Sequence, residues 1–312
     1  MRALVICVGF CLIACQKPAA TGDDDDQGID APTSTGSDSG IPADFQMLIS
    51  RSWTMPSDTE GYKCVRVQVP SDMWVTAFRS LSPVGTHHSV LTISTSSTQT
   101  GDYDCGAGSL DNQMLYAAGV GTDDNAFPDG VAIHLAAGTY INLNLHLYNT
   151  TDNPITATSG VLVKTMNAAD VVHEADMQFS GTFLINVPSD NIVHTATGSC
   201  NVASDFHVFT LWPHMHQTAV HQTLSVKADA AHGGATAMLL DADYSFSEQK
   251  NYPMVDTIIP AGSKITTTCS YQNNTGSTMT FGESSNNEMC FSGIYRYPAG
   301  GNLFACAMGA SI

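Results

Sequence analysis

Six side chains in this 312-residue sequence have the type and spacing to hold metal. His214 and His216 flank Met215, and residues two apart share a face of an extended strand, so the two imidazoles stand close enough to grip one ion. His87 and His88 are neighbours, which a regular strand turns to opposite faces. Their joint use as ligands needs a bend or a bulge, for which Pro83 and Gly85 supply the local means. His146 lies in the run 140–148, where Ile141, Leu143, Leu145 and Leu147 share one face and Asn142, Asn144, His146 and Tyr148 the other. Met289 stands beside Cys290, and in a strand the two side chains would face opposite ways. Imidazole suits copper and zinc alike, whereas a thioether is soft and favours Cu(I). Taken singly, each residue fits an ordinary role as well: a solvated histidine, a chance His-x-His pair, one core methionine among 13. His134, His173, His194, His207, His221 and His232 read as solvated or hydrogen-bonded structural histidines.

The elements that must position these groups are strands. From Ile41 onward the chain is rich in Thr, Val, Ser and aromatics, and apolar residues alternate, as in 62–69, 140–148 and 207–211, with no sustained helical period. Pro128-Asp129-Gly130, Ala137-Gly138 and Pro260-Ala261-Gly262 are turn signals between them. The expected fold is all-β, two tandem antiparallel β-sandwich (jelly-roll-like) domains over residues 42–168 and 169–312, divided where Asn167-Ala168-Ala169-Asp170 interrupts the alternation.

Residues 1–14 carry Arg2 and then an unbroken apolar run too short for a permanent span, which reads as a signal peptide. Its end, Leu12-Ile13-Ala14-Cys15, resembles a bacterial lipobox, so Cys15 is expected to be lipidated. Residues 15–41 form an acidic Ser/Thr/Asp-rich tether with almost nothing to bury. The chain is then exported and lipid-anchored at the bacterial cell envelope, with Gln16 pointing to the outer membrane, and touches membrane only through that anchor. A formal charge of -18 repels nucleic acid. Nine cysteines less Cys7, Cys11 and Cys15 leave six, an even number in an exported chain, with no CxxC and fifteen possible pairings.

The order Tyr62-Lys63-Cys64, Thr86-His87-His88, Leu145-His146-Leu147-Tyr148, His214-Met215-His216, Glu288-Met289-Cys290 resembles the copper type II, ascorbate-dependent monooxygenases, the family of peptidylglycine α-hydroxylating monooxygenase and dopamine β-monooxygenase. The resemblance spans about residues 55–306, and six ligand positions match in order and type. It implies two copper ions: one on His87, His88 and His146 that stores an electron, and one on the catalytic set His214, His216 and Met289, where O2 reacts. It implies the disulfides Cys64 with Cys105, Cys200 with Cys306, and Cys269 with Cys290. It also implies an activity: with O2 and a reductant such as ascorbate, hydroxylation of a C–H bond of a small-molecule substrate. The peptide-amidating branch has an Arg where this chain has Trp212, an Asn where it has Phe291 and a Tyr where it has Gly293, so no charged clamp carries over. An apolar or aromatic substrate near Trp212 or Phe291 is the expectation. The family's Gln is Asn144 here. A surface copper-binding or copper-buffering lipoprotein without substrate oxidation, and a metal-free adhesion module, are the competing readings.

Overall fold

The structure is a computed structural model that describes residues 41–95, 97–107, 113–119, 121–301, 304 and 306–312. The expected leader 1–14, the expected lipidation site Cys15 and all of the expected tether except Ile41 lie outside the described residues. The described residues belong to one compact unit, and its architecture is all-β, built from antiparallel sheets packed in sandwich-like layers.

In the first half, one sheet runs in the order Gln46–Met55, Ile155–Met166, Met73–Leu81, Val131–Leu135, His173–Glu174, with Asn125–Ala126 also paired to Met73–Leu81. The other runs Gly101–Asp104, Thr59–Gln68, Tyr140–Asn149, Thr86–Ile93, Gln113–Gly119. Alternation does here what the sequence predicts: Ile141, Leu143, Leu145 and Leu147 are fully buried and share the core with Trp53, Phe78 and Leu91. The opposite face of Tyr140–Asn149 carries the histidine. The three sequence turns are real, each with a glycine at positive φ, Gly130, Gly138 and Gly262, and a closing backbone bond such as Val131 N to Pro128 O at 3.1 Å.

The 3-10 turn Ala168–Asp170 and the strand His173–Glu174, which pairs in parallel with Val131–Leu135, lead into the second half. There one sheet has the order Asp176–Thr182, Cys290–Tyr297, Phe206–His214, Tyr252–Ile259, and a second the order Val193–Asn201, Lys264–Gln272, Ala219–Lys227, Thr236–Asp243. A short pair, Asn186–Val187 with Met279–Thr280, completes it. The sheets approach backbone to backbone at Gly198, where a Cβ would lie 1.7 Å from the carbonyl oxygen of Gly181, so only glycine fits. The core continues across the halves, where Phe127 meets Phe209 and Tyr295, and the Tyr295 hydroxyl donates to the Leu115 carbonyl at 3.1 Å.

Disulfides join Cys64 to Cys105, Cys200 to Cys306 and Cys269 to Cys290, the pairing the resemblance implied. The Cys200–Cys306 bridge spans 106 residues and ties the Val193–Asn201 strand to the C-terminal segment. Closing so long a loop restricts the unfolded chain most, so replacing both cysteines by serine is expected to lower stability by about 3 kcal/mol. Urea unfolding of the double variant checks this; an unchanged midpoint would show that the sheets hold the C-terminus unaided.

Candidate metal centres

The first cluster is made by a defect in a ladder. Thr86–Ile93 pairs antiparallel with Tyr140–Asn149, and the register shifts between Thr86 and His88. This bulge turns His87 and His88 toward the same side, which a regular strand forbids. It is prepared by the turn before it, where Thr86 N donates to Pro83 O at 2.9 Å and Gly85 adopts a φ of 94°. A Cβ on Gly85 would meet the Trp53 ring at 2.8 Å. Trp53 Nε1 in turn donates to Ser159 Oγ at 2.7 Å, and Thr86 Oγ1 meets that same oxygen at 2.7 Å.

On this frame the Nδ1 atoms of His87 and His88 are 3.0 Å apart, and those of His88 and His146 are 3.4 Å apart. A tetrahedral ion with metal–nitrogen bonds of about 2.0 Å holds its ligand nitrogens roughly 3.3 Å apart. Among the described residues these three form the one group of three His, Cys, Asp or Glu that could hold an ion in common. His146 is no surface residue: it is 2% exposed, stacked on Tyr62 with centroids 4.6 Å apart. Its Nε2–H donates to Glu60 Oε1 at 2.5 Å. That carboxylate sets the tautomer that leaves the Nδ1 lone pair facing its two partners.

The second set forms where a strand ends. Phe206–His214 stops at His214, opposite Phe291. His216 therefore lies just beyond the strand, a departure from the extended pair that the spacing predicts. The reason is Glu288, 0% exposed, whose carboxylate accepts from the backbone N–H of His216 at 2.9 Å, from that of Thr218 at 2.7 Å and from the Thr218 hydroxyl at 2.7 Å. These bonds replace ladder bonds and fold the chain into a turn; losing the acceptor would cost about 1–3 kcal/mol for each buried donor left unpaired. The rings of His214 and His216 are 5.3 Å apart and nearly perpendicular. His214 Nδ1–H donates to Gln249 Oε1 at 3.0 Å, and His216 Nδ1–H to the Asn287 carbonyl at 3.1 Å. Each Nε2 is thereby left as the acceptor. Trp212 stacks on His214 at 4.8 Å.

Met289 lies just before the strand Cys290–Tyr297, pinned by the Tyr271 hydroxyl on its carbonyl at 2.7 Å and by the Cys269–Cys290 bridge beside it. It packs into the main core at 5% exposure, and it also lines one cavity with His88, His214 and His216. That cavity, about 50 Å³, is where the two sets meet, and Tyr62, Trp212, Phe291 and Phe246 also line it. The residues fit copper: three imidazoles in one set, two imidazoles in the other with a soft thioether in the same wall. Asn144, in place of the family's Gln, donates to the Gly106 carbonyl at 2.9 Å.

Sequence reasoning passed over Glu60, Gln249 and Phe246, and it quoted Glu288 only as a neighbour of Met289. Glu288 alone had a local signal, a carboxylate directly beside the candidate ligand Met289. The remaining histidines have other partners: His194, His207, His221 and His232 pair with Asp190, Asp256, Asp241 with Asp243, and Asp229, while His134 stacks on Trp74 and His173 on Tyr297.

Burial pushes the ligand imidazoles down: His87 to about 4, His214 to about 3, His216 to about 4, His88 well below the usual range, and His146 down despite Glu60. They stay neutral and ready to ligate where free imidazole, near 6.5, begins to charge. The sign for stability follows. Below about 6.5 the unfolded chain takes up protons that the folded chain refuses until about 4, so the metal-free protein loses stability as pH falls through that window. Urea midpoints from pH 7 to 5 should fall more steeply for the native chain than for a His87→Gln, His214→Gln variant. Equal slopes would mean that these imidazoles are solvated.

The family model "copper type II ascorbate-dependent monooxygenase, C-terminal domain" matches residues 175–311. No curated protein matches the chain. Among solved structures, the VP2 subviral particle of infectious bursal disease virus is 10% identical, with 80% of this chain and 71% of that chain covered and a TM-score of 0.22. The Gt strain of the same virus is 12% identical, with 83% and 76% covered and a TM-score of 0.21. Overlaps this weak carry no argument about fold or function. The domain match covers the segment that holds Glu288, Met289 and the His-x-His pair, so residues 175–311 are similar to the C-terminal domain of the copper type II, ascorbate-dependent monooxygenases.

Proposed function

We propose that this chain is a two-copper monooxygenase that uses O2 and a reductant such as ascorbate to hydroxylate a C–H bond of a small molecule. The observation that carries it is that His88, from the three-imidazole cluster, and His214, His216 and Met289 line one cavity. Two electrons and two protons with O2 and a substrate R–H balance to R–OH and water. His87, His88 and His146 would hold one copper, and His214, His216 and Met289 the other. When bound, these ions would each pass on one electron from the reductant, so that O2 chemistry receives its two electrons singly.

The chain's own work is positioning. Glu60 keeps the His146 ring in one tautomer, and Gln249 and the Asn287 carbonyl do the same for His214 and His216. Phe179, Trp212 and Phe291 give the cavity an apolar, aromatic wall beside His214. With no lysine or arginine among its described lining residues, that wall favours a neutral, apolar or aromatic substrate over a carboxylate. Export and an N-terminal lipid on Cys15 are part of the same proposal, and among the described residues no helix is long and apolar enough to cross a membrane.

The experiment is metal analysis with O2 uptake. The purified chain should bind two coppers, show sulfur near one of them when reduced, and consume O2 only with reductant. Met289→Ala should remove the sulfur signal, keep copper on the three-imidazole cluster and cut O2 uptake by more than the roughly 10–100-fold typical of losing an outer partner. Two coppers with no coupled turnover on a broad panel of neutral substrates would favour the copper-buffering reading instead. Wild-type copper content together with undiminished O2 uptake in Met289→Ala would remove the thioether from the proposal.

A further inference from the structure

Phe246 is carried by the connection between the strands Thr236–Asp243 and Tyr252–Ile259, which lie in different sheets of the second half. It occupies a turn closed by Glu248 N donating to Ser245 O at 3.1 Å. Ser245, Ser247 and Glu248 are exposed, and Phe246 alone of the four turns inward. Its ring centroid is 5.0 Å from that of His87, 6.5 Å from that of His88 and 6.1 Å from that of His216, so it stands between the two ligand sets.

The turn is anchored on either side. The Tyr244 hydroxyl donates to the Met215 carbonyl at 2.6 Å and accepts from the Met215 N–H at 3.1 Å. The Gln249 carbonyl accepts from Thr122 Oγ1 at 2.8 Å and from Gly119 N at 3.3 Å, both in the first half. Residues 245–248 lie between these two anchors and bond chiefly among themselves and to Lys250.

Size decides what Phe246 does there. The cavity offers about 50 Å³, enough for a few waters, whereas an apolar cavity of about 150 Å³ in another protein takes up benzene. A ring-sized molecule fits only if something leaves, and the one lining ring on a surface turn is Phe246. We propose that Phe246 is the specificity-determining residue of this site: its ring stands where a neutral, ring-sized apolar group of the substrate sits, and it swings out to admit that group. The proposal rests on the shared cavity being the place of reaction.

The test uses the purified full chain, metal-free and copper-loaded, with calorimetric titration of phenol, 1-naphthol and, as a charged control, benzoate. Phe246→Ala is expected to bind 1-naphthol at least about tenfold more tightly than wild type and to gain less for phenol. Phe246→Trp is expected to lose phenol binding, and benzoate to bind none of the variants. Phe246→Leu, which keeps apolar bulk on the turn, should fall between wild type and Phe246→Ala and carries the test if the alanine variant fails to fold. Affinities for both phenols that do not change with residue 246 overturn the proposal. Copper content measured on the same samples separates the two readings: ring uptake that follows residue 246 together with copper binding supports this proposal, ring uptake that follows residue 246 without copper binding sinks the monooxygenase and leaves Phe246 as the residue that admits a ring to a binding cavity rather than to a reaction site, and two coppers with uptake indifferent to residue 246 sinks this proposal alone.

Discussion

Three ring nitrogens, those of His87, His88 and His146, face one another at hydrogen-bonding distance, and a proton on one repels a proton on the next. Burial has already pushed all three toward the neutral form, so the cluster presents lone pairs to a common point. Such an arrangement is stable only if the scaffold holds it or a cation fills it. Here the scaffold visibly does the holding. The bulge at Thr86–His88 fixes two of the rings, the apolar stripe on the far side of Tyr140–Asn149 fixes the strand of the third, and Glu60 with Tyr62 fixes its ring.

The second half reaches a similar end by other means. No bulge brings His214 and His216 together; a buried carboxylate does. Glu288 draws the backbone of His216 and Thr218 out of the sheet and places the next residue, Met289, in the wall of the same cavity. A charge buried this deeply is costly unless paired, and its pKa is raised by that burial against the hydrogen bonds from Thr218, His216 and Met289. Fold and site are thus coupled: the bonds that stabilise Glu288 are the ones that aim the histidine.

The halves are coupled as well. Gln249 receives the His214 ring N–H through its side chain and binds the first half through its backbone carbonyl, so the orientation of an imidazole in one half depends on contact with the other. Tyr295, Phe127 and Phe209 extend that contact into the core. A cavity lined from both halves follows from this shared packing.

Much of this was legible beforehand. Strict alternation in the run 140–148 predicted the strand and the side from which His146 projects, because the side-chain period of a strand is exactly two. Proline and glycine marked the turns, and the ordered ligand set named candidates on both sides of the cavity. The spacing of His214 and His216 misled in one respect, because an extended pair is only the local default and Glu288, seventy-two residues away, overrides it. Burial of His146, the partners Glu60 and Gln249, and the ring of Phe246 between the ligand sets were invisible in the sequence. They depend on which strands become neighbours, and in an antiparallel sandwich those neighbours come from distant parts of the chain. By itself the sequence determined the period, the turns and the chemistry of the donors; only the tertiary structure decided which donors share a point in space, since that is set by register and by long-range burial.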